Sequence, residues 1–298
     1  MRDEIRKIQE MMEAAEYVTD APVATSVHLA MRLHKPLLIE GPAGVGKTEV
    51  AKVMARMLGT NLIRLQCYEG LDVSTALYEW NYQKQLLHIK LEEAGHNNRA
   101  MVDKEHEIFS EPFLLRRPLL QAITQDSQSP VLLVDECDRT DEEFEAFMLE
   151  VFSDWQVTIP EIGTIKATHP PHVILTSNRT RELSDALRRR CLYLWIDYPT
   201  PDKEIRIIAR KVPGINERLA REIAKFMETL RQVRLAKVPG VAETLDWAQA
   251  LASLHADHID EPLVVETLGC VLKDVDDMKR FRAEVAKSGL SPFLPAPS

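Results

Sequence analysis

The stretch Gly41–Thr48 has the residue types and the spacing of a phosphate-binding loop. Its sequence, GPAGVGKT, fits the pattern G-x-x-x-x-G-K-[ST], and its glycines allow successive backbone N–H groups to turn onto phosphate oxygens. The Lys47 ammonium would pair with the β- and γ-phosphates, and the Thr48 hydroxyl would hold Mg²⁺. The residues predicted to bind the phosphates are Gly41, Pro42, Ala43, Gly44, Val45, Gly46, Lys47, Thr48 and Glu49.

The elements predicted on either side of this loop are those that a phosphate site needs. Pro36–Glu40 reads as a short buried strand, and Thr48–Leu58 reads as a helix. The helix N-terminus adds unpaired N–H donors and a partial positive charge. A chance glycine turn is the alternative, and the order of strand, loop and helix disfavours it.

A second stretch, Val131–Glu136, supplies two carboxylates at the end of a buried strand. Four apolar residues precede Asp135 and Glu136, as in a parallel strand covered on both faces. At such a strand end, Asp135 would hold Mg²⁺ directly or through water, and Glu136 would orient and deprotonate the attacking water. Acidic residues also end strands for solubility alone, but the phosphate loop earlier in the chain favours the catalytic interpretation.

A third buried strand, Val173–Ser177, is followed by Asn178. Its side-chain amide could donate to the γ-phosphate or to the attacking water and so report the state of the nucleotide. An Asn after a strand is also ordinary turn chemistry. The order of the motifs favours the sensor interpretation.

Three arginines, Arg188–Arg190, close a predicted helix just before a fifth strand, Leu192–Ile196. Basic residues at a helix C-terminus usually match the helix dipole and face solvent. The alternative is an arginine finger, whose guanidinium enters a neighbouring subunit and stabilises charge on the transferred phosphoryl group.

The remaining pattern predicts a mixed α/β domain followed by a helical one. Single helices are expected over Leu71–Leu91 and Ser110–Ile123, with a solvated loop over Glu92–Glu107 between them. A hairpin is expected over Trp155–Ala167. Thr200 would cap the first of several amphipathic helices. The predicted domains are 1–199, 200–287 and a loose tail at 288–298.

Composition narrows the function classes. The 298 residues carry a formal charge of -9 and a pI of about 5.6, so the chain as a whole lacks the basic footprint of a nucleic-acid binder. Its four cysteines are scattered without a C-x-x-C pair, which indicates neither a zinc site nor a disulfide framework. No signal peptide or membrane-spanning stretch is evident. We expect a cytoplasmic protein.

The ordered set of phosphate loop, Asp135-Glu136, Asn178 and arginine-rich helix end resembles the AAA+ ATPases over about residues 20–255. Within them, Pro36–Thr48 and the hairpin before Asn178 are similar to the MoxR family. The stretches Leu77–Tyr82 and Val241–Trp247 resemble its CoxD-like branch.

This resemblance implies a P-loop NTPase fold with a five-stranded parallel sheet in the order 5-1-4-3-2 and a small C-terminal all-helical lid. It implies a homo-oligomeric ring, commonly a hexamer, that binds ATP and Mg²⁺ between subunits. By position, Arg190 is the first choice for the finger, followed by Arg189 and Arg188. Members of the family are thought to act as chaperones that mature metalloenzymes or other complexes, often beside a partner with a von Willebrand factor A domain. The CoxD-like branch is associated with molybdenum enzymes of the carbon monoxide dehydrogenase type.

Two features depart from the family pattern or stay open. Where many AAA+ lids have a sensor arginine, this chain has Gly240–Glu243. Another residue would then couple the lid to the γ-phosphate, and the nearby Arg234 or Lys237 could substitute. Tyr68 lies where related unfoldases place a pore aromatic, but a plain turn at Tyr68–Gly70 is the simpler interpretation.

The leading hypothesis is therefore an ATP-hydrolysing remodelling chaperone with a protein client, and the resemblance to the CoxD-like branch implies that this client is a molybdenum-containing enzyme. A nucleic-acid-associated AAA+ motor or loader is the second class, disfavoured by the acidic composition. A nucleotide-gated scaffold, in which turnover is incidental, is the third.

Overall fold

The computed structural model describes residues 2–94 and 107–295. Its strands are β1 (Leu37–Glu40), β2 (Leu62–Gln66), β3 (Tyr78–Trp80), β4 (Leu114–Arg116), β5 (Val131–Asp135), β6 (Gln156–Ile159), β7 (Gly163–Lys166), β8 (His172–Ser177) and β9 (Leu192–Trp195). Its helices are α1 (Arg2–Ala14), α2 (Ala21–Leu33), α3 (Lys47–Leu58), α4 (Val73–Ala76), α5 (Tyr82–Ala94), α6 (Pro118–Ile123), α7 (Glu142–Asp154), α8 (Asp185–Arg190), α9 (Pro201–Lys211), α10 (Glu217–Leu230), α11 (Val241–Ser253), α12 (Glu261–Val271) and α13 (Val275–Ser288).

Five of the strands form one sheet in the order β2-β5-β8-β1-β9. The pairs β2–β5, β5–β8 and β8–β1 are parallel. When only these five strands are numbered along the chain, the order from the β9 edge is 5-1-4-3-2, which confirms the expected topology. Every residue of β1 and β5 is buried, because helices cover both faces of such a sheet.

The register brings the carboxyl ends of three strands to one edge of the sheet. Glu40 at the end of β1 lies beside Ser177 at the end of β8, and Val134 lies beside Leu175. Asp135 and Asn178 therefore lie at the same edge as Glu40, the residue that precedes the phosphate loop. In open α/β sheets, ligands bind at this edge.

The chain divides into two compact units. The first comprises residues 1–8, 21–40 and 51–194, and the second comprises residues 9–20, 41–50 and 195–298. The second unit therefore includes the phosphate loop as well as the helices that follow residue 200. The predicted domain boundaries, 1–199, 200–287 and 288–298, remain a prediction.

Each unit has its own apolar core. In the first, the core lies around the sheet and includes Leu38, Leu132 and Leu175. In the second, helices α9–α13 enclose an aromatic cluster of Phe226, Trp247, Phe281 and Phe293.

Phe293 and α13 are features of the C-terminal region that the sequence did not indicate. Phe293 is fully buried against Phe226 and Phe281, so the segment that we predicted to be a loose tail is anchored at this point. Helix α13 was not predicted. Its N-cap is Asp274, whose carboxylate accepts from the N–H groups of Asp276 and Asp277.

The two long helices predicted between the second and third sheet strands are wrong. Leu71–Leu91 is divided into α4, β3 and α5, and Ser110–Ile123 into a 3₁₀ turn, β4 and α6. The reason is the antiparallel pairing of β3 with β4, a long-range contact that overrides the helical spacing of apolar residues. Residues 95–106 of the predicted loop lie outside the described part of the chain.

Other local predictions are confirmed. Strands β6 and β7 pair as the expected antiparallel hairpin. Thr200 caps α9, with Pro201 as its first residue. No helix within residues 2–94 and 107–295 is long and apolar enough to cross a membrane.

Candidate active site

The backbone of the Gly41–Thr48 loop has the conformation that its glycines were expected to permit. Gly44 and Gly46 have φ values of +76° and +91°, a region that side chains with a Cβ rarely adopt. At Gly41 a Cβ would lie 1.9 Å from the carbonyl oxygen of Ile196. The first glycine of the pattern is therefore required by the close approach of another backbone segment.

Lys47 is buried and held against the backbone of its own loop. Its Nζ donates to the carbonyl oxygens of Gly41, at 2.8 Å, and Pro42, at 2.7 Å. These bonds fix the ammonium at the loop, where the sequence places a phosphate-binding cation. Lys47 is also the first residue of α3, so the helix N-terminus adds its partial positive charge there.

The start of α11 packs directly on the tip of the phosphate loop. The backbone N–H of Val241 donates to the carbonyl oxygen of Gly44 at 2.8 Å, and a Cβ on Gly240 would lie 2.7 Å from the Cα of Gly44. The Glu243 carboxylate accepts from the Gly240 N–H at 2.8 Å. The stretch that lacks a sensor arginine therefore contacts the loop through its backbone.

Arg231 positions that contact from within the second unit. Its guanidinium forms a bidentate ion pair with the buried carboxylate of Glu204, and both N···O distances are 2.7 Å. Its Nε donates to the carbonyl oxygen of Pro239 at 3.0 Å, and its plane lies over the Tyr198 ring. Thr244 also donates to Glu204. Arg234 and Lys237, the predicted substitutes for the sensor, are both exposed.

In the first unit, Asp135 is buried at the end of β5 with both carboxylate oxygens hydrogen-bonded. Oδ1 accepts from the Thr176 hydroxyl at 2.6 Å, and Oδ2 accepts from Arg64 Nη2 at 2.5 Å. Thr176 lies on the neighbouring strand β8. This arrangement fixes the orientation of the carboxylate that the sequence assigns to Mg²⁺.

Glu136 has a left-handed backbone conformation, with φ 57° and ψ 47°. This conformation is uncommon for a residue with a side chain and is often found at functional sites. Its backbone N–H donates to Thr176 Oγ1 at 3.0 Å, which links it to Asp135. Its carboxylate pairs with Arg139 at 2.9 Å, and both side chains are partly exposed.

Asp138 organises the turn that contains Asn178. Its carboxylate is buried and accepts from the backbone N–H groups of Asn178, at 3.2 Å, and Thr180, at 2.8 Å. It also accepts from the Thr180 hydroxyl at 2.7 Å. Within the first unit, the Thr176 hydroxyl therefore links Asp135 to Glu136. The Asp138 carboxylate, two residues after Glu136, holds the backbone of Asn178.

The three arginines at the end of α8 have different surroundings. Arg190 Nη1 donates to the Leu149 carbonyl oxygen at 2.9 Å and bonds to Ser153, both on α7. Arg188 Nη2 lies 3.9 Å from a Glu40 oxygen. Arg189 is exposed, and no hydrogen bond or ion pair of its side chain is found within residues 2–94 and 107–295.

Glu40 is a buried carboxylate that sequence reasoning did not identify. It accepts from the Tyr193 hydroxyl at 3.0 Å and lies 3.8 Å from Arg179 and 3.9 Å from Arg188. It thus connects the last residue of β1 to the residue after Asn178 and to α8. An acidic residue at the end of an otherwise apolar strand was the signal in the sequence.

Other residues of the site were also missed. Arg64, Arg139 and Asp138 contact the predicted carboxylates or Asn178, but each occurs in a sequence context where a charged residue on the surface is the usual explanation. Asp138 could have been suspected from the D-E-x-D spacing that follows β5.

The carboxylates create a negative electrostatic environment at this edge. The pKa of the Cys67 thiol, directly after β2, is raised to about 12, chiefly by burial and further by Asp135, Asp138 and Glu136. Opposite charge is needed to balance such a cluster. Arg64 and Arg139 supply it in the first unit.

One weaker prediction can also be compared with the structure, and one further cluster was not predicted. Tyr68–Gly70 forms a turn, with Gly70 at φ +81° and the Leu71 N–H bonded to the Tyr68 carbonyl oxygen, while the Tyr68 side chain is exposed. Among the described residues, the one His and acidic cluster close enough to hold a metal is His88, Glu92 and Glu107. The sequence did not indicate this cluster.

The groups present are suited to a magnesium nucleotide. The loop offers backbone N–H groups and an ammonium to phosphate oxygens. Apart from Gly46 and its two chain neighbours, no heavy atom of the described residues lies within 4 Å of a Cβ placed on Gly46. Hydroxyl and carboxylate oxygens are the kinds of ligand that Mg²⁺ prefers, and the second unit offers the Thr48 hydroxyl while the first unit offers the Asp135 carboxylate. No soft thiolate or imidazole ligand is required.

Comparison with known proteins agrees with this chemistry. The family described as AAA domain (dynein-related subfamily) matches residues 36–191, more than half of the chain. An uncharacterized protein of Staphylococcus epidermidis is 25% identical over 228 residues, which cover 74% of this chain and 78% of that protein. An uncharacterized protein of Staphylococcus aureus is 24% identical over 243 residues, which cover 79% and 82%.

Solved structures of similar fold include two variants of Thermotoga maritima RuvB. The proline-to-glycine variant has a TM-score of 0.51 and 18% identity, covering 96% of this chain and 76% of that one. The alanine-to-serine variant has a TM-score of 0.51 and 19% identity, covering 93% and 87%. At these identities the likeness concerns the fold alone. The chain belongs to the dynein-related subfamily of AAA-domain proteins, and it is an ATPase that uses ATP with Mg²⁺.

Proposed function

We propose that this ATPase is a remodelling chaperone that works as a homo-oligomeric ring in the cytoplasm and assists the maturation of a metalloenzyme. The observation that carries the ATP-driven part is the linkage of Asp135, Glu136 and Asn178 at one edge of the sheet through Thr176 and Asp138. AAA+ proteins typically assemble into rings. The class of client rests on the sequence resemblance to the MoxR family and its CoxD-like branch.

The roles of the binding residues follow from their chemistry. The loop N–H groups and Lys47 bind phosphate oxygens, while Thr48 and Asp135 hold Mg²⁺. When bound, the metal neutralises charge that develops on the phosphoryl oxygens. Thr176 keeps the Asp135 carboxylate oriented, because its hydroxyl donates to Oδ1 at 2.6 Å.

Glu136 is the proposed general base, and its contact with Arg139 bears on when it acts. One Glu136 carboxylate oxygen pairs with Arg139 Nε at 2.9 Å, so that oxygen is occupied while the pair is formed. We infer that Glu136 turns away from Arg139 to receive a proton from water. The partial exposure of both side chains leaves room for that rotation.

Asn178 is the proposed nucleotide sensor. Asp138 holds its backbone N–H at 3.2 Å and the Thr180 N–H at 2.8 Å. The amide is thus presented from a turn with fixed backbone geometry, and a sensor that reports the γ-phosphate requires such rigidity.

For the arginine finger, the contacts shift the order of the candidates. Arg190 was the first choice by position, but it bonds to Leu149 and Ser153 of its own chain. Arg189 is exposed, and Arg188 lies beyond hydrogen-bond distance of Glu40. We propose that Arg189 or Arg188 reaches a neighbouring subunit and that Arg190 anchors α8 to α7.

Mixed oligomers test the finger directly. Subunits carrying Glu136→Gln are mixed with subunits carrying Arg188→Ala, Arg189→Ala or Arg190→Ala, and ATP hydrolysis is measured at several ratios. A finger acting in trans restores activity at hybrid interfaces, because one intact site forms there. If no ratio restores activity with any of the three variants, the finger assignment to α8 is wrong.

The chaperone role is tested in the organism that makes the protein. In cells that carry Glu136→Gln as the sole copy, a client molybdenum enzyme of the carbon monoxide dehydrogenase type is expected to accumulate without its complete metal centre. The metal content and the activity of the purified enzyme measure this. Full maturation with the Glu136→Gln chain would favour a nucleotide-gated scaffold. DNA-stimulated, salt-sensitive ATP hydrolysis by the purified chain would instead favour a nucleic-acid motor.

A further inference from the structure

Arg64 is placed against the carboxylate that is proposed to hold the metal. Its Nη2 lies 2.5 Å from Asp135 Oδ2 and 2.5 Å from Gln66 Oε1. The Arg64 side chain is 52% exposed, whereas the Asp135 side chain is 5% exposed. A half-exposed cation therefore covers an acceptor oxygen of a buried, oriented anion.

The strand register explains how Arg64 reaches this position. Gln66 of β2 lies beside Asp135 of β5, and Arg64 lies beside Leu133. Residues two apart on a strand share one face of the sheet, so Arg64 and Gln66 extend from the face to which Asp135 also belongs. Strand β2 is the outermost strand on its side of the sheet, so one side of Arg64 is open to solvent.

The same oxygen would serve the cation. Mg²⁺ is bound through one or two carboxylates, with near-ideal octahedral geometry. Thr176 already donates to Oδ1, and Arg64 takes Oδ2. A divalent cation at this carboxylate and a guanidinium at 2.5 Å from it would also repel each other strongly.

We propose that Arg64 is a gate on the magnesium site, competing with the metal for Asp135 Oδ2. Metal binding displaces the guanidinium toward Gln66 and solvent, and loss of the metal returns it to Asp135. Arg64 thereby sets how much Mg²⁺ the ATPase requires. The inference rests on the proposed role of Asp135 as a metal ligand.

A purely structural ion pair is the competing explanation. Exposed arginine–carboxylate pairs usually contribute little to stability, and Arg64 is half exposed. If the pair is only structural, its loss leaves metal affinity unchanged. The gate predicts instead that removal of Arg64 increases the affinity of the site for the metal.

The test uses the full chain, with Mn²⁺ as the probe because its free form is quantified by electron paramagnetic resonance. Mn²⁺ is titrated into the complex with AMP-PNP, a non-hydrolysable ATP analogue, for the wild type, Arg64→Gln and Arg64→Lys. AMP-PNP binding without metal is measured alongside, which separates effects on the phosphates from effects on the metal. Arg116→Gln is the matched control, because Arg116 is also a half-exposed strand arginine paired with a carboxylate, that of Glu111.

Arg64→Gln is expected to tighten Mn²⁺ binding roughly tenfold, since a nearby positive charge is removed. Arg64→Lys should stay near the wild type, because the charge is kept, and Arg116→Gln should change nothing. Unchanged or weaker Mn²⁺ binding in Arg64→Gln would overturn the gate. Asp135→Asn distinguishes failure of the proposed metal ligand from failure of the proposed gate. If Asp135→Asn leaves Mn²⁺ affinity unaltered, Asp135 is not a metal ligand. If it weakens Mn²⁺ binding, Asp135 is a ligand, and an unexpected result for Arg64→Gln counts against the gate alone.

Discussion

Gly240 and Gly44 touch through their backbones, which leaves no space for a side chain on Gly240 and little space for one on Gly44. The Val241 N–H bonds to the Gly44 carbonyl oxygen at 2.8 Å. A Cβ on Gly240 would lie 2.7 to 2.8 Å from three backbone atoms of Gly44. Helix α11 is thereby coupled to the phosphate loop without the sensor side chain that this position commonly carries in AAA+ proteins. The coupling between α11 and the phosphate loop depends on close backbone packing, so a substitution that adds a side chain at this contact can test it.

Gly240→Ala is expected to separate α11 from the phosphate loop. Its methyl group meets backbone rather than a flexible side chain, and such overpacking typically costs about 1–3 kcal/mol. Nucleotide affinity should fall together with the free energy of unfolding, measured by fluorescence titration and by urea denaturation. Gly269→Ala in α12 is the control, because its Cβ would meet only Met278 Cε at 4.0 Å. Equal behaviour of the two variants would refute the coupling.

The Arg231–Glu204 pair is expected to dominate the stability of the second unit. Both side chains are almost fully buried, and removal of one partner from a buried pair costs about 3–5 kcal/mol, since it leaves an uncompensated charge. Arg231→Leu should therefore lower the urea midpoint strongly. Arg221→Leu, which removes an exposed pair with Glu217 on the same helix, should change stability by about 0–1 kcal/mol. A small effect of Arg231→Leu would show that the pair contributes little.

Asp138 is expected to act on turnover through Asn178. Asp138→Ala removes the acceptor of two backbone N–H groups, so the Asn178–Thr180 turn loses its fixed geometry. The rate constant kcat should fall much more than AMP-PNP affinity, because the phosphate loop is not altered. Asp138→Asn keeps one acceptor oxygen and should recover part of kcat. A parallel loss of affinity in both variants would indicate general unfolding instead.

His172 is expected to make the protein less stable in mild acid. Its pKa is lowered from 6.5, first by burial and then by the neighbouring His34, so the folded state favours the neutral ring. The unfolded state binds the proton more readily, and the associated stability is lost as pH falls below about 6.5. The free energy of unfolding should drop less between pH 7.5 and 5.5 in His172→Gln than in the wild type. His255→Gln should match the wild type, and an identical drop in all three proteins would contradict the assignment.

The elements that were predicted correctly from the sequence are those whose structure depends on residues close together in the chain. The phosphate loop, the apolar run that ends at Asp135 and the Thr200 cap each depend on neighbouring residues, and the structure has all three elements. The β3–β4 pair was missed because it joins Tyr78–Trp80 to Leu114–Arg116, a pairing that periodicity within either segment does not reveal. Arg64 and Arg231 were missed for the same reason, since the partner of each is far away in the sequence.

The most direct test of the whole account is the rate of phosphate release by Glu136→Gln under single-turnover conditions. Loss of the general base should slow hydrolysis by roughly 10²–10⁴-fold, while ATP affinity stays near that of the wild type, because Glu136 is not assigned to binding. Glu142→Gln, in the exposed first turn of α7, should hydrolyse ATP normally. If Glu136→Gln releases phosphate at the wild-type rate, Glu136 is not the base, and the proposed site at the edge of the sheet is wrong.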